Sequence, residues 1–356
     1  MKMKKIMAAV VAAAMTLAFA GCSSANTDAN ADTSAADANA ETSAAADADT
    51  TAEKDSYTIG VIQFGSHPSL DNCYQGIENG LKASSIADKI TIDRQDGNFD
   101  SATCDSIAKN MASKNYDLIF AIATPAAVSA YSATQNSQTP VIFTAVSDPV
   151  AAGLVDSLDA GSKNCIGTSD ILDLEAQVAL IQALQPDVKT IGVLYTTSEA
   201  NSVSQLAKLE EVAGAVGISI ESQGVQGAAD IPQAAASLAA KVDCINNFTD
   251  NNVVSNLSVL LEKANAANIP VYGSEIEQVI NGCIASISLD YVALGEKTAE
   301  MGLEVLNGAD PQTMAVGTIS EGTPVVNTDV LAQFGIELPE AYADAEKVTT
   351  GSSSEE

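Results

Sequence analysis

From Tyr57 onward, apolar and polar positions follow two alternating periods. Short apolar runs rich in β-branched residues give way to longer stretches in which apolar residues recur every three or four positions. Thr58-Ile-Gly-Val-Ile-Gln reads as a strand, followed by a helix through Leu70, Ile77 and Leu81. Ile90 to Arg94 predicts a second strand, and Ser101 to Lys114 a helix with Ile107 and Met111 facing inward. Leu118 to Ala123 is apolar throughout, as suits a strand buried on both faces of a parallel sheet. A helix to about Ala133 and a strand in Pro140-Val-Ile-Phe-Thr-Ala continue the series. Strands alternating with helices of this length predict a parallel sheet covered by helices on both faces.

The pattern then restarts. Thr190-Ile-Gly-Val-Leu-Tyr echoes Thr58-Ile-Gly-Val-Ile-Gln, and Lys241-Val-Asp-Cys-Ile-Asn-Asn-Phe-Thr-Asp echoes Tyr116-Asp-Leu-Ile-Phe-Ala-Ile-Ala-Thr. Ile269-Pro-Val-Tyr likewise echoes Thr139-Pro-Val-Ile, in the same order and at similar separations. The fold class expected is therefore α/β, with two doubly wound parallel-sheet lobes rather than one large sheet. A disordered tail is expected at 347–356.

The most informative turn follows the strand at Leu118. Thr124 is read as an N-cap and Pro125 as the first helical residue, where its missing N–H costs nothing. The free amides of Ala126 and Ala127 would then point out of the carboxyl end of the strand. In open α/β sheets ligands sit there, and a carboxylate suits such a helix start. An ordinary strand-to-helix turn is the competing reading.

The first residues belong to a different world. Lys2, Lys4 and Lys5 precede the apolar run Ile6 to Ala20, which reads as a secretory signal peptide over residues 1–21. Its end, Leu17-Ala-Phe-Ala-Gly21-Cys22, resembles a bacterial lipobox, with Phe19 departing from the usual leucine. Cys22 is thus the expected lipidation site, and acyl chains there would hold the protein at a membrane. Residues 22–56 are almost wholly Ala, Asp, Thr, Asn and Ser, too poor in apolar surface to offset the entropy of folding. They read as an acidic tether.

Charge and cysteines narrow the function further. Forty-six acidic residues against 16 basic give a net charge of −30, which argues against nucleic acid as a partner. Of six cysteines, removing Cys22 leaves five that are widely spaced and lack any Cys-x-x-Cys, a set suited neither to a disulfide framework nor to zinc. The one histidine, His67, has no partner set for metal binding or nucleophilic catalysis. No cofactor motif appears, and an enzyme is not expected.

Several segments carry a family resemblance. They are Gln63-Phe-Gly-Ser-His67-Pro68-Ser-Leu-Asp71, Ala123-Thr-Pro-Ala-Ala127, Phe143-Thr-Ala-Val-Ser-Asp148-Pro149-Val, Asn164-Cys-Ile-Gly-Thr-Ser-Asp170, Tyr195-Thr-Thr-Ser-Glu-Ala-Asn201-Ser202, Thr249-Asp250-Asn251 and Asp290-Tyr291. Together they resemble the ABC-transporter substrate-binding lipoproteins of the tryptophan/tyrosine type, over the body from Tyr57 to about Pro339. The resemblance implies a periplasmic-binding-protein fold of type 1, with crossovers near Asn164–Asp170, near Ala285–Asp290 and between about Ala309 and Val325, and so lobe 1 over residues 57–166, completed by about 288–312, and lobe 2 over 167–287, completed by about 313–346. It also implies an extracytoplasmic, membrane-anchored receptor whose partners are a membrane permease and a small, aromatic amino acid-like ligand.

A zwitterionic amino acid must find a partner for each charged end once water is excluded. Thr124, the amides after Pro125 and Ser66 are the candidates for the carboxylate. Asp250 is the candidate for the ammonium, with Asp290 second; Asp250 would serve equally as a helix cap. Glu275 is either a cleft residue or a solvated first-turn acid. Phe64 and Phe143, at strand ends, are candidates for stacking on an aromatic side chain, although Phe143 suits the core as well. Ser147, Thr168 and Asn251, within the resembling segments, complete the expected ligand-binding set. Two alternatives share this fold: a surface sensor or interaction lipoprotein, and a receptor for a metabolite other than an amino acid.

Overall fold

Each step of the apolar pattern becomes one strand and one helix in the computed structural model, which describes residues 54–319 and 322–352. The expected signal peptide, Cys22, nearly all of the tether and the last four residues lie outside that range. The chain runs β1 (Tyr57–Gln63), α1 (Pro68–Ala83), β2 (Ile90–Asp96), α2 (Ser101–Ser113), β3 (Leu118–Ile122), α3 (Thr124–Thr134), β4 (Val141–Thr144) and β5 (Cys165–Gly167). It continues α4 (Leu174–Leu184), β6 (Thr190–Thr196), α5 (Ala200–Ala215), β7 (Ser219–Val225), α6 (Ile231–Ala239) and β8 (Cys244–Asn246). Then come α7 (Asn251–Ser255), α8 (Leu257–Ala266), β9 (Val271–Tyr272), α9 (Ile276–Ile280), β10 (Ala285–Ser288), α10 (Tyr291–Leu306), β11 (Thr323–Asn327), α11 (Thr328–Phe334) and β12 (Glu346–Val348).

The first five strands form one parallel sheet in the order β2-β1-β3-β4-β5. A second parallel sheet has the order β7-β6-β8-β9. It continues into β10, because Ile284 N donates to Val271 O and Gly273 N to Ala285 O. The strand order is therefore the same in both lobes, and the echo extends to single hydrogen bonds. Asp117 accepts from Thr58 N in lobe 1 as Asp243 accepts from Thr190 N in lobe 2, each at 2.8 Å. Ile119 N donates to Pro140 O as Ile245 N donates to Pro270 O. The expected pair of doubly wound lobes is the fold observed.

Each lobe has its own apolar core, and chain order does not decide which residues belong to it. Tyr291, Leu294, Ala299 and Met301 of α10 pack into the core around β1, β3 and β4, although α10 follows the second lobe in sequence. The contact is close because both helices carry glycine where they cross. A Cβ on Gly76 would stand 2.0 Å from the Val292 carbonyl oxygen, and one on Gly295 2.2 Å from that of Cys73. The chain passes between lobes three times: from β5 to α4, from β10 to α10, and from Gly317 toward β11. The first and third passages are tied together, since Gly317 N donates to Gly167 O and Ser169 N to Gly317 O. Thr168, buried there, bonds Thr144 and Thr298 through their hydroxyls at 3.0 and 2.7 Å.

The stretch from 347 expected to fray is held in place up to Ser352. Lys347 and Val348 belong to β12 beside β11, Asn327 Nδ2 donates to Thr350 Oγ1 at 3.1 Å, and Gly351 N donates to Ile280 O. A sequence rich in Thr, Gly and Ser shows no apolar period, so this sheet-edge pairing had no local signal. The five cysteines of the body are buried and unpaired. Among the described residues no helix is long and apolar enough to cross a membrane.

Candidate ligand-binding site

The strand ends of the two lobes face one another, and a small cavity of about 10 Å³, no more than room for a single water, lies between them. Lobe 1 lines it with His67, Ser69 and Leu70 at the start of α1 and with Ala145 and Ser147 after β4. Lobe 2 contributes Asn201, Thr249, Asn251 and Glu275, while Asp170 and Tyr291 come from the connections between lobes. No lysine or arginine is among these lining residues. The lobes touch across it: His67 Nε2 lies 3.4 Å from Asn251 Oδ1, and Ser147 Oγ 3.5 Å from Thr249 Oγ1. Further out, Asn72 donates to Glu277 and Ser204 to Asp148.

Two buried acids dominate the electrostatics. Asp170, 2% exposed, accepts from Ser147 Oγ at 3.0 Å and from Tyr291 Oη at 2.8 Å. Burial raises its pKa above the ordinary carboxylate value, against the pull of those two hydroxyls. Glu275, 1% exposed, accepts from Gln278 Nε2 at 3.1 Å through Oε1, and the Ser69 hydroxyl across the cleft also favours its charged form. Burial first, and Glu277 second, push it to about 8. His67 is driven the other way, to about 4, chiefly by burial, so its ring is neutral at pH 7.

Some buried polar atoms are without partners, which in a folded interior requires a reason. His67 Nδ1 and Asn201 Oδ1 are two such atoms among the groups lining the cavity. Thr124 Oγ1, at the start of α3, is unpartnered as well. Backbone strain accumulates nearby: Ala123 has φ +78° and Ala145 φ +52°, where an alanine costs about 1 kcal/mol or more.

Of the residues singled out from sequence, the structure gathers Ser147, Asn251 and Glu275 at the cavity. Glu275 is buried rather than a solvated first-turn acid, which resolves that choice. Thr124 is the first helical residue and not the N-cap; Ala123 holds that position, completing the ladder through Ala123 N to Thr144 O. The Ala127 amide is taken by the Ala123 carbonyl, and the Ala126 and Ala127 side chains lie in the lobe 1 core. Ser66 is exposed and donates to Asp71 Oδ2 at 2.8 Å. Phe64 and Phe143 are core residues; Phe64 meets Phe99 edge-on at 5.8 Å. Thr168 is spent on the crossover bonds described above.

Asp250 is the largest correction. Its carboxylate accepts from Thr196 N at 2.6 Å, Thr196 Oγ1 at 2.8 Å, Ser202 Oγ at 2.7 Å and Val253 N at 3.0 Å. All four donors belong to lobe 2, so Asp250 fastens α7 to β6 and α5 and is not a cavity residue. Asp290 is exposed and caps α10 through Ala293 N at 2.9 Å. The acids that do reach the cavity are Asp170 and Glu275. His67, Ser69, Asp170, Asn201, Thr249 and Tyr291 escaped the sequence-based set, although all six lie within segments quoted for the resemblance. Asp170 and Tyr291 are placed by crossovers and Asn201 and Thr249 by the second lobe, while His67 and Ser69 stand at the start of α1, where a helix start was legible but the residue facing the cleft was not.

Comparison with known proteins identifies the family. The family described as ABC transporter substrate binding protein matches residues 58–348. A tyrosine-binding protein of Clostridioides difficile strain R20291 is 38% identical over 283 residues, 79% of this chain and 81% of its own. The structure of an ABC domain in complex with L-Trp from Streptococcus pneumonia is 36% identical, covers 82% of this chain and 99% of that one, and superposes with a TM-score of 0.80. A ligand-free, open structure of a substrate binding protein with adhesive properties from Clostridium difficile is 37% identical over 83% of this chain and 99% of that one, yet its TM-score is 0.64. The chain belongs to the family of ABC transporter substrate binding proteins, with the type 1 periplasmic-binding-protein fold.

Proposed function

We propose that this protein is the extracytoplasmic, lipid-anchored receptor of an ABC importer, and that its lobes close on a free amino acid with an aromatic side chain. One observation carries the reading of the ligand. The cavity holds two buried carboxyl groups, no basic side chain, and unpartnered acceptor atoms. A cation brought by the ligand would neutralise the acids and donate to the acceptors, and an ammonium does both. Asp170 and Glu275 are its partners, one from the crossover and one from lobe 2. The ligand's carboxylate goes to the Thr124 hydroxyl and the free amides in the first turn of α3, which favour an anion. Ser69, with a hydroxyl that both donates and accepts, can serve either end.

The aromatic preference draws on the relatives that bind tyrosine and L-Trp and on the rings at the cavity. His67 lies parallel to Phe99 at 6.4 Å and 8°, and Tyr291, which donates to Asp170 Oδ2, also lines the cavity. Anchoring rests on the lipobox-like end of the leader at Cys22, and transport on a permease that reads the closed shape. Mass spectrometry of small molecules released from the denatured, purified protein tests the ligand. A free aromatic amino acid is the expected finding, and a bound sugar or nucleoside would refute the reading. Cys22→Ala should move the protein from the membrane fraction to the soluble fraction; retention in the membrane would refute the anchor.

A further inference from the structure

The bonds on the far side of His67 fix what its ring offers to the cavity. Asn251 Nδ2 donates to Glu199 Oε2 at 2.5 Å, and the same oxygen accepts from Asn251 N at 3.1 Å. Asn201 Nδ2 donates there too at 3.2 Å, and Asn252 N donates to Oε1 at 3.2 Å. With its amide nitrogen committed to Glu199, Asn251 turns Oδ1 toward His67 Nε2, 3.4 Å away across the cleft. A carbonyl oxygen only accepts, so Nε2 must carry the proton of the neutral ring. Nδ1 is then a bare lone pair. It has no partner in the protein, and His67, 9% exposed, lines the cavity.

We infer that closure of the lobes sets the tautomer of His67 through the Glu199–Asn251 relay, so that His67 enters the binding site as a hydrogen-bond acceptor and selects a ligand that presents an N–H or O–H donor to it. His67 and Asn251 belong to different lobes, so only the closed arrangement imposes the choice. Glu199 is a positioning residue: it is buried, makes no contact with the cavity lining other than through Asn201 and Asn251, and acts by orienting the amides. Both of those amides then present oxygen, Asn251 to His67 and Asn201 to the cavity, where its Oδ1 is unpartnered. The same lone pair on Nδ1 repels a carboxylate, which keeps the acid end of the ligand on the α3 side. The inference rests on the amino acid reading above. It adds that the ligand meets His67 with a donor, either its ammonium or the phenol or indole N–H of its side chain.

A chain with a single histidine makes the test direct. Nitrogen-15 histidine labelling of tag-free protein gives one imidazole, and its two-bond nitrogen–proton couplings report the tautomer. Saturated with L-tyrosine or L-tryptophan, His67 should be neutral and protonated on Nε2 alone. Glu199→Gln, which can turn the Asn251 amide over, should return a mixture of tautomers in a protein that still melts cooperatively. In calorimetry His67→Phe should weaken L-tyrosine at least about 10-fold, the worth of one lost hydrogen bond in a buried site. L-phenylalanine locates the donor: if His67→Phe weakens it equally, His67 meets the ammonium, and if L-phenylalanine is spared, His67 meets the side chain. A bound state protonated on Nδ1, or undiminished L-tyrosine affinity in His67→Phe, overturns the inference while leaving the amino acid reading intact. Failure of every free amino acid to bind overturns that reading itself.

Discussion

Asp170 and Asp250 look alike in sequence, each polar and each following a short strand, yet their surroundings give them opposite tasks. Asp250 is saturated by four donors of its own lobe, so Asp250→Ala should act on stability. It strands the Thr196 amide and the Ser202 hydroxyl, and a loss of about 2–4 kcal/mol in chemical denaturation is expected. Asp170 faces the cavity, and Asp170→Asn should keep the fold while weakening an amino acid ligand about 100-fold or more by calorimetry, as removal of a buried charge partner does. Asp290→Asn should change affinity little. The raised acids also give the ligand-free protein a pH dependence. Burial raises Glu275 and, with Asp250, Glu199 to about 8, so the folded state holds protons there that the unfolded chain has already released. Stability must then fall as pH rises through this window. His67, lowered to about 4, works in the opposite sense, but only below its ordinary value of 6.5. Between pH 6.5 and 8 the melting temperature should therefore decrease to the extent that the lobes of the ligand-free protein stay in contact and keep Glu275 buried. Bound amino acid should flatten the trend by keeping Glu275 ionised. A melting temperature that rises across this window would contradict the assignment.

At the scale of elements, the alternating periods and the Thr-Ile-Gly-Val echo made both sheets legible, because a buried parallel strand leaves a compact apolar run. The place of α10 was less legible: its residues complete the lobe 1 core through Gly76 and Gly295, far apart in the chain. Gly76→Val should drive the new side chain into the Val292 carbonyl and destabilise lobe 1 by about 3 kcal/mol or more, seen as a lower melting temperature. The site was legible only in part for the same reason. Helix starts and strand ends can be read locally, and of the residues they pointed to Ser147 and Asn251 line the cavity while Thr124 does not. Which acid a cleft receives depends on what the neighbouring helix already caps. Asp250 is engaged by Thr196 and Ser202, while Asp170 is left to face the cavity by a crossover whose path no local pattern records. The aromatic candidates failed likewise, since Phe64 and Phe143 sit at strand ends but point into the core, and the rings that reach the cavity are those of His67 and Tyr291.

For the whole molecule, three passages between lobes and a cleft lined from both sides make closure the step that assembles the site. The His67–Asn251 and Ser147–Thr249 contacts exist only when the lobes meet. Scattering curves should accordingly differ between ligand-free and saturated protein, with the smaller radius of gyration in the saturated state. The charge pattern of the cavity is the centre of this picture: two buried acids and a set of acceptors, with no cation of the protein's own. The most direct measurement is calorimetry of the purified protein with L-tyrosine and L-tryptophan beside their N-acetyl derivatives, which keep the side chain and carboxylate but lose the ammonium. Tight binding of a free amino acid and a loss of about 100-fold or more on acetylation are expected. Equal affinity for the acetylated form would contradict it.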